Sequence, residues 1–205
     1  MGRGFDPHGA YLVESSITRS RVDHLALYTF AMIFPLITKR LRIEPLSQGD
    51  VVAFVAYRKV PEVARFQSWS SNYSIAQGYE LVRSQTGIVH PDKGEWLQIG
   101  IKLRSTGELV GDVAINNTDP SEPAVTLGFT IAQQHQGLGY AKEAVGTVIS
   151  ELRQEFSNVR FWAFTDARNA PSIALLKSLG FQELPEQKYL EEFKGETVEV
   201  LRFEL

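Results

Sequence analysis

The period of apolar positions changes repeatedly along the chain, and each change marks an element. Leu41-Arg-Ile-Glu-Pro-Leu46 alternates as a half-buried strand does. Asp50 then stands as an N-cap before a helical run carrying Val51, Val52, Phe54, Val55 and Ala56, and Pro61 opens a short helical piece through Phe66. Ser74-Ile-Ala-Gln77 has the form of a capping box, which predicts a helix from Ile75 to about Ser84. Leu97, Ile99, Ile101 and Leu103 alternate, Ser105-Thr-Gly-Glu108 turns, and Leu109 to Ile115 returns as the second arm of a hairpin. A loop rich in Asn, Asp and Pro, Asn116 to Pro123, leads to a β-prone run from Val125 to Ile131. Ala141, Ala144, Val145, Val148, Ile149, Leu152 and Phe156 then fall on one helical face, while Lys142, Glu143, Arg153 and Glu155 lie off it. Val159 to Phe164 reads as a strand. Asn169 is a good N-cap, Pro171 sits in the first turn, and Gly180 with Phe181 reads as a left-handed helix stop with its apolar contact. Thr197 to Leu205 is strand-like again, and there is no internal repeat. The order β-α-α-β-β-β-α-β-α-β-β predicts an α/β (α+β) domain, a mixed central sheet of six to seven strands with helices on both faces.

The chemistry is concentrated where the run ending at Ile131 passes through Gln136-Gly-Leu-Gly-Tyr-Ala141 into a helix. The first N–H groups of a helix have no partner inside it, and the peptide dipoles add partial positive charge, so that end is suited to an anion. Gly137 and Gly139 let the backbone approach the ligand. Hydrogen bonds to a charged oxygen are worth roughly 1.5–3 kcal/mol each. Three or four on a diphosphate would supply most of a micromolar affinity, about 8 kcal/mol. Neither the dinucleotide spacing G-x-G-x-x-G nor the P-loop is met.

What the turn does match, read from Gln136, is Q-x-x-G-x-A; the register Gln134-x-x-Gly137-x-Gly139 also fits. The motif resembles the Q/R-x-x-G-x-G/A signature of the GNAT superfamily, whose members hold the diphosphate of acetyl-CoA there. Asp166-Ala-Arg-Asn169-Ala-Pro-Ser172 through Leu179-Gly180-Phe181 is similar to the D-x-x-N-x-x-S…L-G-F pattern of the branch containing the ribosomal-protein Nα-acetyltransferases (RimJ/RimL type). The two motifs stand in the right order, and the resemblance covers residues 38–205. It implies acetyl-CoA as acyl donor, bound by Gln136, Gly137, Leu138, Gly139, Tyr140 and Ala141, with backbone groups of Phe129, Thr130 and Ile131 along the pantetheine arm. The strand from Gly128 to Ile131 should splay from its neighbour, with an N–H there, such as that of Ile131, polarising the thioester carbonyl; plain ladder pairing is the alternative. Asn169 would contact the pantetheine region, a role compatible with an N-cap. Ser172 is either a thiolate acid or orienter, or only a helix-start hydroxyl. Many members carry Tyr four residues beyond it, where this chain has Leu176; Tyr140 is a weaker substitute.

Composition narrows the choices. At 205 residues, 43% hydrophobic and 22% charged, the chain makes one well-cored domain. A net charge of −3 argues against nucleic acid as partner. With no cysteine there is no acyl-cysteine intermediate, so transfer should be direct. His8, His24, His90 and His135 have no metal-ligand spacing, and no metal is expected. Residues 1–37 are least readable: Gly2, Gly4, Pro7 and Gly9 suggest a disordered start. Leu25 to Ile37 is apolar but too short to span a bilayer, no signal peptide stands out, and no membrane partner is expected. Those residues are read either as an extension preceding a start at Met32 or as a packing arm covering a neighbour, which keeps a homodimer open. The expected location is cytoplasmic.

The general base is the gap in the pattern. Relatives often carry Glu where this chain has Thr126, leaving Asp112, Glu44 or a water chain as candidates beside the bland reading of both as solvated carboxylates. Deprotonating an α-amine of pKa about 8 at neutral pH costs about 1 kcal/mol, whereas an amine near 10.4 costs about 4–5 kcal/mol. An N-terminal α-amine is therefore the favoured acceptor. A small amine such as a polyamine or aminoglycoside, or a non-catalytic acyl-CoA-binding module, are the alternatives. Arg65 and Trp69, in an Arg-aromatic-x-x-Trp stretch similar to one in this branch, and the loop before Trp96 would line the acceptor site; Trp69 reads equally as a core anchor.

Overall fold

A computed structural model describes residues 32–205, apart from 89–90, 92–93, 120–123 and 157. Its strands are β1 (Leu36–Ile37), β2 (Leu41–Pro45), β3 (Trp96–Leu103), β4 (Leu109–Asp119), β5 (Ala124–Ile131), β6 (Arg160–Asp166), β7 (Gln182–Glu183), β8 (Tyr189–Phe193) and β9 (Glu196–Glu204). Its helices are α1 (Val51–Arg58), α2 (Pro61–Ala64), α3 (Ile75–Ser84), α4 (Tyr140–Glu155) and α5 (Ala170–Ser178). One sheet runs β1-β2-β3-β4-β5-β6-β9-β7, with β8 also paired to β9. All neighbours are antiparallel except β5 and β6. The expected strands are present; the two-residue β1 and β7, too short to leave a period, were not expected.

Side-chain alternation divides the sheet into two unlike faces. Leu97, Ile99, Ile101, Val113, Ile115, Val125, Leu127, Phe161 and Phe203 form the main core with Ala144, Val145, Val148, Ile149 and Leu152 of α4 and Leu176 of α5. The other face carries a second, smaller core where α1 and α3 cover it, through Val51, Phe54, Val55, Tyr57 and Val82. Beyond those helices it carries Gln98, Asn116, Thr126, Trp162 and Arg202, set by the register of β3, β4, β5, β6 and β9.

Local signals account for most boundaries. The Ser74–Gln77 capping box is complete, and Phe181 N–H bonds to Leu176 O at 3.1 Å while Gly180 N–H bonds to Lys177 O at 3.1 Å, a Schellman stop around the left-handed Gly180. Three expectations need correction. Asp50 precedes α1 but its carboxylate caps nothing in it: it accepts from Ser47 N–H at 2.8 Å and pairs with Lys102 at 2.9 Å. β4 continues through Asn116 to Asp119, where a loop was expected, because β5 offers a full antiparallel partner edge. The folded part also reaches back before Thr38, since Met32 and Leu36 are buried in the main core and β1 pairs with β2. Residues 1–31, with His8 and His24, and His90 lie outside the described residues.

Gly78 lets α3 lie close against α1: a Cβ there would stand 2.6 Å from Val55 Cγ2 and 3.0 Å from Val51 Cγ1. Gly78→Ala is expected to destabilise the fold by about 1–3 kcal/mol in denaturant titration, although alanine gains about 1 kcal/mol of helix propensity.

Candidate functional site

The turn between β5 and α4 is built on left-handed backbone. Gly137 and Gly139 have φ of 74° and 78°, values that exact a steric cost from other residues. Glu143 N–H is accepted by Gly139 O at 3.1 Å, so the N–H groups just ahead of it are the unpaired first-turn donors of a 16-residue helix. The β1–β2 turn braces this geometry from outside. Arg40 Nη1 donates to Leu138 O at 2.8 Å, Arg40 Nε meets Glu143 Oε2 at 2.6 Å, and the guanidinium lies 4.7 Å from the Tyr140 ring centroid. Thr38 Oγ1 and Arg40 N–H also donate to Glu143, at 2.5 and 3.2 Å. Burial raises the Glu143 pKa, but the Thr38 and Arg40 contacts outweigh it and hold the group below its ordinary value of 4.5. Its contribution to stability is thus fully present above pH 4.5 and is lost as pH falls through the lowered pKa. No periodicity ties residue 40 to residue 143, so this brace leaves no mark in the sequence.

Next to the turn the sheet opens. Ala132 N–H donates to Val110 O at 2.9 Å, in register with Asp112↔Thr130, so even-numbered residues of this strand bond to β4 and the main-chain groups of Phe129 and Ile131 point the other way. On that side β6 pairs only with Ala124, Val125 and Thr126. Side-chain amides reach the two odd carbonyls: Gln67 Nε2 lies 3.5 Å from Phe129 O and Gln136 Nε2 lies 3.0 Å from Ile131 O. The N–H groups of Phe129 and Ile131 face the same gap, which is the splay expected from Gly128 onward; Thr130 bonds into β4 instead. Beyond the gap, Asn169 Oδ1 accepts from Ser172 N–H at 3.3 Å, so Asn169 is an N-cap and brings Ser172 to the first turn of α5. Leu176 is buried in the core and offers no proton donor.

The carboxylate candidates are engaged elsewhere. Glu44 lies on β2, three strands from β5 and so about 14 Å away, and it pairs with Arg42 at 2.8 Å and Lys102 at 3.2 Å. Asp112 is directly opposite Thr130 but only 2% exposed. It takes a short hydrogen bond from Tyr57 Oη and lies 3.6 Å from Arg58 Nη2. Burial outweighs that cation and raises the Asp112 pKa; burial also raises that of Tyr57. Arg58 is boxed by Trp69, Phe54 and Tyr73, at 3.7, 3.9 and 5.1 Å from the ring centroids. Trp69 therefore anchors this box, and its Nε1 donates to Arg58 O at 3.2 Å. Trp96 sits over β5, its ring 3.7 Å from a Cβ placed on Gly128. Arg65, exposed just past α2, borders a cleft of about 460 Å³ with Arg168 and Lys194. Among the described residues no cluster of three His, Asp or Glu side chains is arranged to hold a metal ion.

With this geometry in view, the likeness to known proteins is specific. The family model of the acetyltransferase (GNAT) domain matches residues 40–182. The uncharacterized N-acetyltransferase p20 of Bacillus licheniformis is 26% identical over 170 residues, covering 83% of this chain and 94% of its own length. Spermidine N-acetyltransferase from Vibrio cholerae, solved with CoA and spermine, superposes with a TM-score of 0.69 at 17% identity, over 82% of this chain and 96% of that one. RimL, a ribosomal α-N-protein acetyltransferase solved with coenzyme A, gives 0.68 at 16% identity, over 83% and 96%. At such identities the two structures attest a shared fold.

Arg40→Ala is expected to weaken CoA binding about tenfold by calorimetry, the loss of roughly one charge-assisted contact. The KM for S-acetyl-pantetheine, which lacks the diphosphate, should stay unchanged. Asp112→Asn strands Arg58 in its box and should cost about 3–5 kcal/mol in denaturant titration, without moving the acid limb of the pH–rate profile at a temperature where the variant is folded.

Proposed function

The chain belongs to the GNAT family of N-acetyltransferases, and from that premise we propose that it moves the acetyl group of acetyl-CoA directly to the α-amine of a peptide or protein N-terminus. The observation that carries this reading is the state of the carboxylates. Glu44 is remote and salt-bridged, Asp112 is sealed under Tyr57 and Arg58, and Thr126 occupies the strand position nearest the opening. With neither Glu44 nor Asp112 free to act as a base, the site suits an amine that needs little help to lose its proton. An α-amine costs about 1 kcal/mol to deprotonate at neutral pH, and a polyamine or lysine amine about 4–5 kcal/mol. Water can take the first proton; the second calls for a dedicated base.

In this mechanism the turn from Gln136 to Ala141 holds the diphosphate through its amides, and the open edge of Phe129 and Ile131 orients the pantetheine arm. The free amine attacks the thioester carbonyl carbon, the Ile131 N–H stabilises the charge developing on oxygen, and the carbon–sulfur bond breaks to release CoA thiolate. In this reading the Ser172 hydroxyl, at the start of α5, gives that thiolate its proton and takes in exchange, through water, the proton that the attacking nitrogen loses. Asp112 and Trp69 are structural in this reading, and Trp96 walls the acceptor side over Gly128.

Release of free CoA thiol from acetyl-CoA, followed with short peptides and with spermidine as acceptors, tests the proposal. Turnover on peptides, with kcat/KM levelling off above a pH of about 8, is expected. Preference for spermidine would refute the acceptor, and CoA binding without turnover on any amine would make the chain a non-catalytic acyl-CoA-binding module.

A further inference from the structure

Resting on the reading of the chain as an Nα-acetyltransferase, we infer that Arg202, framed by Trp162 and Phe164, receives a carboxylate carried by the acceptor near its amine, so that acidic N-terminal peptides are the preferred acceptors. The diphosphate turn leads into α4, which packs on one face of the sheet, so the thioester comes to the gap from that face and the acceptor from the other. On that other face Arg202 lies opposite Phe164, two residues past Thr126↔Trp162, the last pair before the gap. It is therefore level with Gly128 and two strands away, at least about 10 Å where β5 and β6 part. One or two residues of extended peptide, at about 3.3 Å each, bridge that interval once the two side chains reach toward each other.

The guanidinium is built into this wall rather than lying loose on it. Its carbon stands 3.8 Å from the Trp162 ring centroid and 5.5 Å from that of Phe164. Its Nε is buried and has no hydrogen-bond partner among the described residues. Arg40, Arg42, Arg58, Arg160 and Arg168 each hold a carboxylate of this chain. Arg202 holds none among the described residues; Glu204, two residues along the same face, is taken by Arg160 at 2.7 Å. Burial pulls the Arg202 pKa below the ordinary arginine value, a penalty that an incoming anion relieves. A planar guanidinium steadied by aromatic faces presents its donors as a fork, the geometry that a carboxylate matches with both oxygens. A polyamine would instead set cation against cation at this point, so the same residue selects against the small-amine acceptors.

The test is steady-state kinetics of the full chain with peptide pairs that differ only by Asp or Glu against Asn or Gln at the second and third positions. For the wild type the kcat/KM ratio of acid to amide is expected to be about tenfold to a hundredfold, carried mainly by KM and shrinking with added salt. In Arg202→Gln the ratio should fall to about one. A wild-type ratio near one, or a ratio that survives in Arg202→Gln, overturns the inference. Should Arg202→Gln fail to fold, Arg202→Lys, which keeps the charge without the fork, decides in its place: a lowered ratio supports the inference and an unchanged one overturns it. Turnover without acid preference removes only this inference, whereas absence of turnover on every peptide removes the acceptor reading with it.

Discussion

The structure depends on an interaction that stops partway: β5 and β6 pair through Thr126↔Trp162 and no further. An unpaired buried amide costs about 1–3 kcal/mol, so a gap in the middle of a sheet persists only if something pulls the strands apart. Here β6 is held by its other neighbour. It stays in register with β9 from Trp162↔Glu204 to Asp166↔Val200, and Ala167 N–H continues to Glu199 O at 2.9 Å. Arg168 grips Asp166 with Nη2 at 2.7 Å and reaches Glu196 at 2.9 Å, fixing the end of β6 to the β9 side. Arg168 first, against the opposing effect of burial, holds the Asp166 carboxyl below its usual range, so that fork is intact at neutral pH. β5 is meanwhile committed to β4 over its whole length. The opening thus follows from two strands each loyal to its outer partner, and the exposed amide edge is what remains between them.

Much of this could be read from residue order, and the reason is local. Capping boxes, a helix stop at Gly180 and glycines at left-handed positions act over a few residues, which is why α3, the α5 terminus and the β5–α4 turn fell where the pattern set them. The two family motifs are contiguous for the same reason, since a turn with left-handed glycines and a capped helix each span a few residues. What the pattern did not carry is long-range. Asp112 looked like a candidate base because an acid on a strand is polar whatever lies above it; only the fold brings Tyr57 and Arg58 over it from α1. Glu44 alternated correctly, but its distance from β5 is a matter of strand order. Trp69 stacks on Arg58 and donates to its carbonyl oxygen, contacts that no local pattern carries.

The buried Arg58–Asp112 pair also shows how the second face of the sheet is partitioned. Under α1 and α3 a guanidinium is stacked among three aromatic rings and matched by one acid, which makes that region closed and well specified. Beside β6 and β9 another guanidinium is stacked on aromatic rings, and among the described residues no acid forms an ion pair with it, Glu204 nearby being held by Arg160. The two sites use the same chemistry, and the difference between them lies in whether the counter-charge is built in.

A similar question of counter-charge arises at the β5–α4 turn, where the proposed mechanism sets the diphosphate. Glu143 lies in the first turn of α4, where its charge suits the helix dipole but stands close to where a diphosphate would bind. Left alone, it would repel the anion that the amides attract. Arg40 resolves the conflict, because a single guanidinium neutralises Glu143 at 2.6 Å while Nη1 holds Leu138 O at 2.8 Å. The acid thereby becomes the anchor for a cation beside the turn, and the peptide between the two left-handed glycines is tied to the β1–β2 turn rather than free to relax. An arginine placed there without its acid would lack an orientation, and the acid without its arginine would oppose the ligand, so the two residues make sense only as a pair.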